Sequence, residues 1–243
     1  MAGKSFLIDT TRCTACRGCQ VACKNWNRNG ASMTKNEGSH QNPPDLDANT
    51  YKLVRFSEVV SDGKLAWYFF ADQCRHCLEP PCKDTIEGHV QDAVVQEEAT
   101  GAVVFLEKSK GAPFDEVRSS CPYDIPRKAK DGRLVKCTMC IDRVANGLLP
   151  ACVKVCPTGA MNFGERTEML ALAKERLAKL KDKYPKAQLL DADQVRTIFL
   201  VVEDPAKIWK HAVAGTSSGI TRHLALRRMW QPTAGLLRRI TMG

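Results

Sequence analysis

Apolar and polar positions alternate through Tyr51–Val60, which predicts a strand. Leu65–Phe70 predicts a second, and Ser61-Asp62-Gly63-Lys64 between them has the composition of a turn, so the two form a hairpin. Val94–Gln96 and Val103–Leu106 predict another hairpin, turning near Ala99–Ala102. Residues 6–9 form a short strand and Val21–Asn25 start a short helix. Residues 25–50 are polar, include Asn42, Pro43 and Pro44, and are expected as a surface loop. The clearest helix is Glu165–Tyr184. Met169, Leu170, Ala173, Leu177, Leu180 and Tyr184 share one face, Lys174, Glu175, Arg176, Lys179 and Lys181 face away, and Pro185 ends it. Such a helix packs on the core. Thr197–Val202 is an apolar, β-branched run and predicts a strand.

The chain has 243 residues, 44% of them apolar and 26% charged, which excludes general disorder. No stretch reaches the roughly 18 apolar residues of a membrane span, and Met1–Asp9 lacks the long apolar segment of a secretory signal. Cysteine changes the picture: there are 12, beside only 5 histidines. That density asks for metal or for many disulfides.

The cysteines fall into three sets of four. The first run is Cys13, Cys16, Cys19 and Cys23. The second is Cys74, Cys77 and Cys82, with Cys121 far downstream. The third is Cys137, Cys140, Cys152 and Cys156. The C-x2-C-x2-C-x3-C spacing is that of ferredoxins binding a four-iron, four-sulfur cluster. Three cysteines on a tight loop wrap three corners of a cubane, and the fourth thiolate comes from elsewhere. In two-cluster ferredoxins the last cysteine of each run serves the other cluster. One set is therefore Cys13, Cys16, Cys19 and Cys156, and another is Cys137, Cys140, Cys152 and Cys23. The crossing staples the N-terminus to residues 137–160 and makes cluster insertion part of folding. Cys74, Cys77, Cys82 and Cys121 make the third set. Cys121-Pro122 repeats Cys156-Pro157, so 121–128 is the counterpart of 156–163.

Zinc also uses C-x2-C pairs, but a triplet crowds three thiolates into seven residues while histidine is scarce. A disulfide framework suits smaller secreted chains. The expected fold is α+β: a duplicated bacterial ferredoxin-like fold with inserted β-hairpins and a C-terminal helical and basic extension. Residues 1–50 and 121–163 form a two-cluster unit. Residues 51–120 form an inserted, reduced unit whose third cluster Cys121 closes. Residues 164–204 supply the packing helix and strand, and 205–243 the extension.

The formal charge of +9 misleads if the cysteines hold clusters. Each oxidised four-iron cluster with its thiolates carries roughly −2, so three leave a net charge near about +3, and a nucleic-acid partner is not expected. The region after Pro205 holds Lys207, Lys210, Arg222, Arg227, Arg228, Arg238 and Arg239 among apolar residues such as Leu224, Met229, Trp230 and Ile240. It reads either as a solvated tail with a docking helix, or as a contact for an acidic partner or membrane surface. Arg17, Lys24, Arg75, Lys83 and Lys136 adjoin ligands. They either raise cluster potentials or are surface charges. No catalytic constellation is present. His40 and His76 lack a nucleophile, Gly18 serves the turn, and no Walker or dinucleotide fingerprint appears. The expected role is a wire of three clusters in series.

The segments DTTRCTACRGCQVACKNWN, DQCRHCLEPPC, CPYDIPRK and KCTMCIDRVANGLLPACVKVCPTGAMNFG resemble the iron–sulfur (beta, small) subunit of molybdopterin oxidoreductases, up to about Val202. Within that group, His40–Pro44, Thr50–Arg55 and Thr197–Leu200 look most like the three-cluster subunit of tungsten- or molybdenum-dependent formate dehydrogenases of sulfate-reducing bacteria. Most of the wider family carries four clusters. Here Ile86 stands where those relatives have a cysteine, and Leu106–Ser120 lacks their triplet, so one cluster is lost as a unit. The resemblance implies a large catalytic partner holding molybdopterin with tungsten or molybdenum, and a cytochrome or other electron carrier. It implies a periplasmic location, exported with the partner; the alternative is the cytoplasm. The alternative function is the equivalent subunit of an enzyme acting on nitrate, a sulfoxide, thiosulfate or polysulfide.

Overall fold

The computed structural model describes residues 3–61 and 63–215. Most of the basic extension lies outside them. In chain order the described elements are β1 (Lys4–Asp9), α1 (Gly18–Trp26), β2 (Leu53–Ser61), β3 (Lys64–Asp72), α2 (Pro81–His89), β4 (Val94–Gln96), β5 (Val103–Phe105), α3 (Phe114–Ser120), β6 (Arg127–Lys128), β7 (Leu134–Val135), α4 (Ile141–Val144), α5 (Ala151–Lys154), β8 (Met161–Glu165), α6 (Arg166–Lys181), β9 (Gln188–Leu190), β10 (Thr197–Val201) and α7 (Pro205–Ile208). The mixed content fits the α+β expectation.

The central sheet runs β8-β1-β10-β9. β1 is parallel to β10, with Leu7 opposite Ile198, and antiparallel to β8, with Phe6 opposite Phe163. Five successive residues of β10 are buried, as are Phe6, Leu7 and Ile8. Strands covered on both faces read as continuous apolar runs, and that is their pattern here. One face meets α6, where Ala173, Met169, Leu170, Leu177 and Leu180 pack on Leu7, Ile198 and Leu200. The other face meets Cys19, Cys152, Val54, Phe70 and Met139. The sheet is thus the floor beneath the cysteine loops.

Both expected hairpins form. β2 and β3 pair from Leu53 opposite Asp72 to Ser61 opposite Lys64. β2 starts two residues later than the alternation suggested, because pairing with β3 begins only at Leu53 opposite Asp72. β4 and β5 pair from Val94 opposite Phe105 to Gln96 opposite Val103. α6 spans Arg166–Lys181, so Tyr184 lies beyond it. The pattern did not predict α2, α3, β8 and β9, which are short or carry weak periodicity. The loop before β2 is not wholly a surface loop: Leu46 is buried, and Asp45 pairs with Arg55 and Arg127.

Gly101, in the β4–β5 turn, has φ +76. A Cβ there would lie 1.9 Å from Arg196 Nε and 2.2 Å from its Cζ. Gly101→Ala therefore meets both a left-handed backbone and a collision, and should destabilise the protein by about 1–3 kcal/mol. Gly30 has no neighbour within 4 Å of an added Cβ. The melting temperature should fall for Gly101→Ala and stay unchanged for Gly30→Ala; equal behaviour of the two would refute this account.

Candidate iron–sulfur sites

The first C-x2-C loop of each run is wound the same way. The residue before its second cysteine has positive φ in all three runs: Ala15 (+54), His76 (+46) and Met139 (+62). That winding turns the backbone N–H of the same residue back onto the first cysteine. His76 N donates to Cys74 Sγ at 3.3 Å and Met139 N to Cys137 Sγ at 3.4 Å. Ala15 N donates to Cys13 in the same manner. Non-glycine residues rarely hold this conformation, so its threefold repetition marks a built feature. Such N–H···S donors suit a thiolate that carries cluster charge.

The two Cys-Pro closures also match. Cys121 accepts from the backbone N–H of Ile125 and Tyr123, and Cys156 from those of Met161, Thr158 and Ala160. Donors therefore stand two and four residues after each closing cysteine. Their effects differ with depth. Burial works against the Cys156 thiolate, but its backbone donors and the Thr158 hydroxyl outweigh it and hold the thiol below its ordinary range. Burial dominates at Cys121 and pushes its thiol up to about 11. Desolvation also leads at Cys23, Cys77, Cys82 and Cys137, raising each. Buried thiols that resist ionisation alone fit groups meant to be neutralised by metal.

The cysteines lie in groups drawn from different runs. Cys13, Cys16, Cys19 and Cys156 line one cavity, walled by Ile8, Val54, Ala71 and Met161. Cys74, Cys77, Cys82 and Cys121 line another, with Arg75, His76, Pro122, Tyr123 and Lys136. Cys23 has Cys137, Cys152 and Cys140 as its charged neighbours, not the rest of its own run. Packed interiors leave few voids, so cavities rimmed by four thiols suit a polynuclear cluster. All twelve cysteines are free, and among the described residues no three His, Cys, Asp or Glu side chains are arranged to hold a single ion. Four thiols around one cavity are the donor set of a four-iron cluster.

Of the five cations flagged in the sequence, three face these sites. Arg17 lines the first cavity, and Arg75 and Lys136 line the other. The Lys24 ammonium instead donates to Asn49 O at 2.8 Å, and Lys83 lines neither cavity. The sequence reading missed Lys52, which is 1% exposed and faces thiols of two sets. The one signal was a lysine set directly before the apolar pair Leu53-Val54 that opens β2.

Repeated ferredoxin-type loops over a shared sheet define an iron–sulfur protein of the 4Fe-4S class. Consistent with this, the family described as 4Fe-4S dicluster domain matches residues 65–166. The chain is 54% identical over 213 residues to the formate dehydrogenase subunit beta of Megalodesulfovibrio gigas, covering 87% of this chain and 99% of that one. It is 53% identical to the formate dehydrogenase 2 subunit beta (cytochrome c-553) of Nitratidesulfovibrio vulgaris, covering 86% and 98%. It is 44% identical to the formate dehydrogenase-O iron-sulfur subunit of Escherichia coli, covering 76% of this chain and 61% of that one. The chain belongs to the family of formate dehydrogenase beta subunits, the iron–sulfur subunits of those complexes.

Proposed function

We propose that this chain relays single electrons through three 4Fe-4S clusters in a formate dehydrogenase complex. A separate subunit would hold the molybdopterin metal at which formate is oxidised, and a cytochrome or similar carrier would exchange electrons at the far end. The ligands are Cys13, Cys16, Cys19 and Cys156; Cys23, Cys137, Cys140 and Cys152; and Cys74, Cys77, Cys82 and Cys121. Bound there, four-iron clusters supply one-electron redox chemistry. The protein's part is to hold each cluster, shield it from water and present N–H donors.

The observation that carries this reading is the order of the thiols. Cys19 of the first set is a charged neighbour of Cys152 in the second. Cys74 of the third set is the leading charged neighbour of Cys137 in the second. The second set therefore neighbours both of the others, which orders the three in series. At the two ends, Cys16 is exposed and Cys77 borders an open cleft with Pro122, Tyr123 and Asp193.

The count of three has its own support. Ile86, where the resemblance implies a cysteine in the four-cluster members of the wider family, is fully buried, and Val117 and Ala112 from the 106–120 segment pack with it, Ala93, Val94, Val103 and Leu134. An apolar core of this kind fills space and needs no fourth cluster.

The test uses the native complex, purified without oxygen. Formate should reduce the clusters, seen by low-temperature electron paramagnetic resonance, and the beta subunit should hold about twelve irons, four per cluster. Full iron in both subunits and a metal-loaded partner, with no response to formate, would discard the substrate.

A further inference from the structure

Lys52 sits just before β2, with its ammonium inside the protein. Nζ donates to Gln73 Oε1 at 2.6 Å and to Ala71 O at 3.2 Å. Ala71 lines the first four-thiol cavity, and Gln73 directly precedes Cys74. The bond to Ala71 fixes the nitrogen against a core cluster that holds Ala71 together with Cys19 of the first set and Cys152 of the central one. The groups that act on it most strongly after burial are Cys19, then Cys152, Cys137 and Cys23. In return it favours the thiolates of Cys13, Cys19, Cys23, Cys140 and Cys152. Those five belong to the first and central sets. The third set has other cations, Arg75 and Lys136.

An ammonium buried this deeply costs several kcal/mol unless an opposite charge compensates it. Among the described residues it joins no ion pair with a carboxylate. Its two acceptors are a carbonyl and an amide oxygen, which satisfy hydrogen bonds but carry no net charge. The negative charge available to it is that of the neighbouring thiolates and whatever they bind. A carboxylate pairing would have cancelled the lysine's field; its absence leaves the full charge facing the two sites.

We propose that Lys52 is a fixed internal cation shared by the first and central clusters, which makes both easier to reduce and eases repulsion when both are reduced. It acts as a positioning residue for charge and not as a ligand. The proposal rests on the three-cluster reading above. A positive charge beside a cluster stabilises its more negative, reduced form and raises its potential. One cation between two clusters also offsets the repulsion that each reduced cluster exerts on the other. The expectation is therefore local: two of the three clusters respond, and the third responds least.

The experiment is a redox titration of the whole complex, followed by electron paramagnetic resonance with iron counted on each sample. Lys52→Met and Lys52→Gln remove the charge, and Lys52→Arg keeps it. In the neutral variants, at fixed potential, the reduced-to-oxidised ratio of the first and central clusters should fall about tenfold, a shift of about 59 mV for one electron. The third cluster should move less, and Lys52→Arg should remain near the parent. Fully loaded neutral variants with unmoved potentials would overturn the proposal while leaving the three-cluster reading intact. If both neutral variants lose iron, a loaded Lys52→Arg with parental potentials supports a need for charge. Loss of iron from Lys52→Arg as well would show a packing role and overturn it. A parent complex without about twelve irons in this subunit would instead sink the underlying reading.

Discussion

Cys156→Ala should abolish the cluster of the N-terminal triplet, and Cys23→Ala should abolish a different one, although Cys23 follows Cys19 in the same run. The reason lies in α1. Cys19 and Cys23 stand one helical turn apart, about 6 Å along the axis, and both are buried. Cys19 faces the cavity it shares with Cys13, Cys16 and Cys156. Cys23 faces Cys137, Cys152 and Cys140. A single turn of helix thus hands successive thiols to successive sites. Each substitution should remove about four of roughly twelve irons, together with one distinct paramagnetic signal. The lost signal should be shared by Cys156→Ala and Cys13→Ala, and separately by Cys23→Ala and Cys140→Ala. If Cys23→Ala and Cys13→Ala erased the same signal, the crossed assignment would be wrong. The effect reaches beyond redox, because the first site joins residues 13–19 to residue 156. Without that closure the N-terminal loop should lose protection from proteolysis, since cluster binding energy is also folding energy here.

The grouping of the cysteines was legible in the sequence because iron–sulfur ligation is a problem of spacing. C-x2-C and Cys-Pro are local, and their partners follow once the runs are counted in fours. The winding of the loops was not legible. Ala15, His76 and Met139 have no feature in common that announces positive φ; the cluster loop imposes it, and ordinary residues accept it. The helix α6 and both hairpins were also legible. α2 and α3 were not, because each carries few apolar positions and begins at or just after a proline that a linear reading takes for a loop. Lys52 escaped for a different reason. Its importance comes from Cys19 and Cys152, which are 33 and 100 positions away in the chain. Charge flanking a ligand in sequence is an incomplete guide to charge near a site: Arg17, Arg75 and Lys136 line the cavities, and Lys24 and Lys83 do not.

Asp72→Asn should be among the most destabilising changes outside the cysteines. Asp72 is fully buried at the end of β3, between two buried guanidinium groups. Oδ2 accepts from Arg55 Nε at 2.8 Å and Oδ1 from Arg75 Nη1 at 2.9 Å. Arg55 has a second carboxylate, Asp45, at 2.6 Å. Arg75 has none among the described ion pairs. Its guanidinium is enclosed by Phe199, Tyr123 and Phe70, with ring centroids at 4.6, 4.9 and 5.2 Å. Cation–π contact supplies part of its compensation, on the order of 2 kcal/mol when desolvated. The carboxylate supplies the opposite charge. Removing one partner from a buried pair typically costs about 3–5 kcal/mol, because the remaining charge stays where water cannot reach it.

The consequence should reach the third site, since Arg75 follows Cys74 and lines that cavity. Denaturant should bleach the iron–sulfur absorbance of Asp72→Asn at a clearly lower concentration than the parent. The exposed pair Glu175–Lys179 on α6 serves as the control; breaking it with Glu175→Gln should leave the midpoint in place. Arg75→Met should cost less than Asp72→Asn, because Asp72 keeps Arg55 and the apolar side chain suits the aromatic enclosure. That ordering separates an uncompensated charge from lost packing. If Arg75→Met proved the more damaging of the two, the enclosure by Phe70, Tyr123 and Phe199 would be the main source of stability at the β3 terminus, and the carboxylate a minor one.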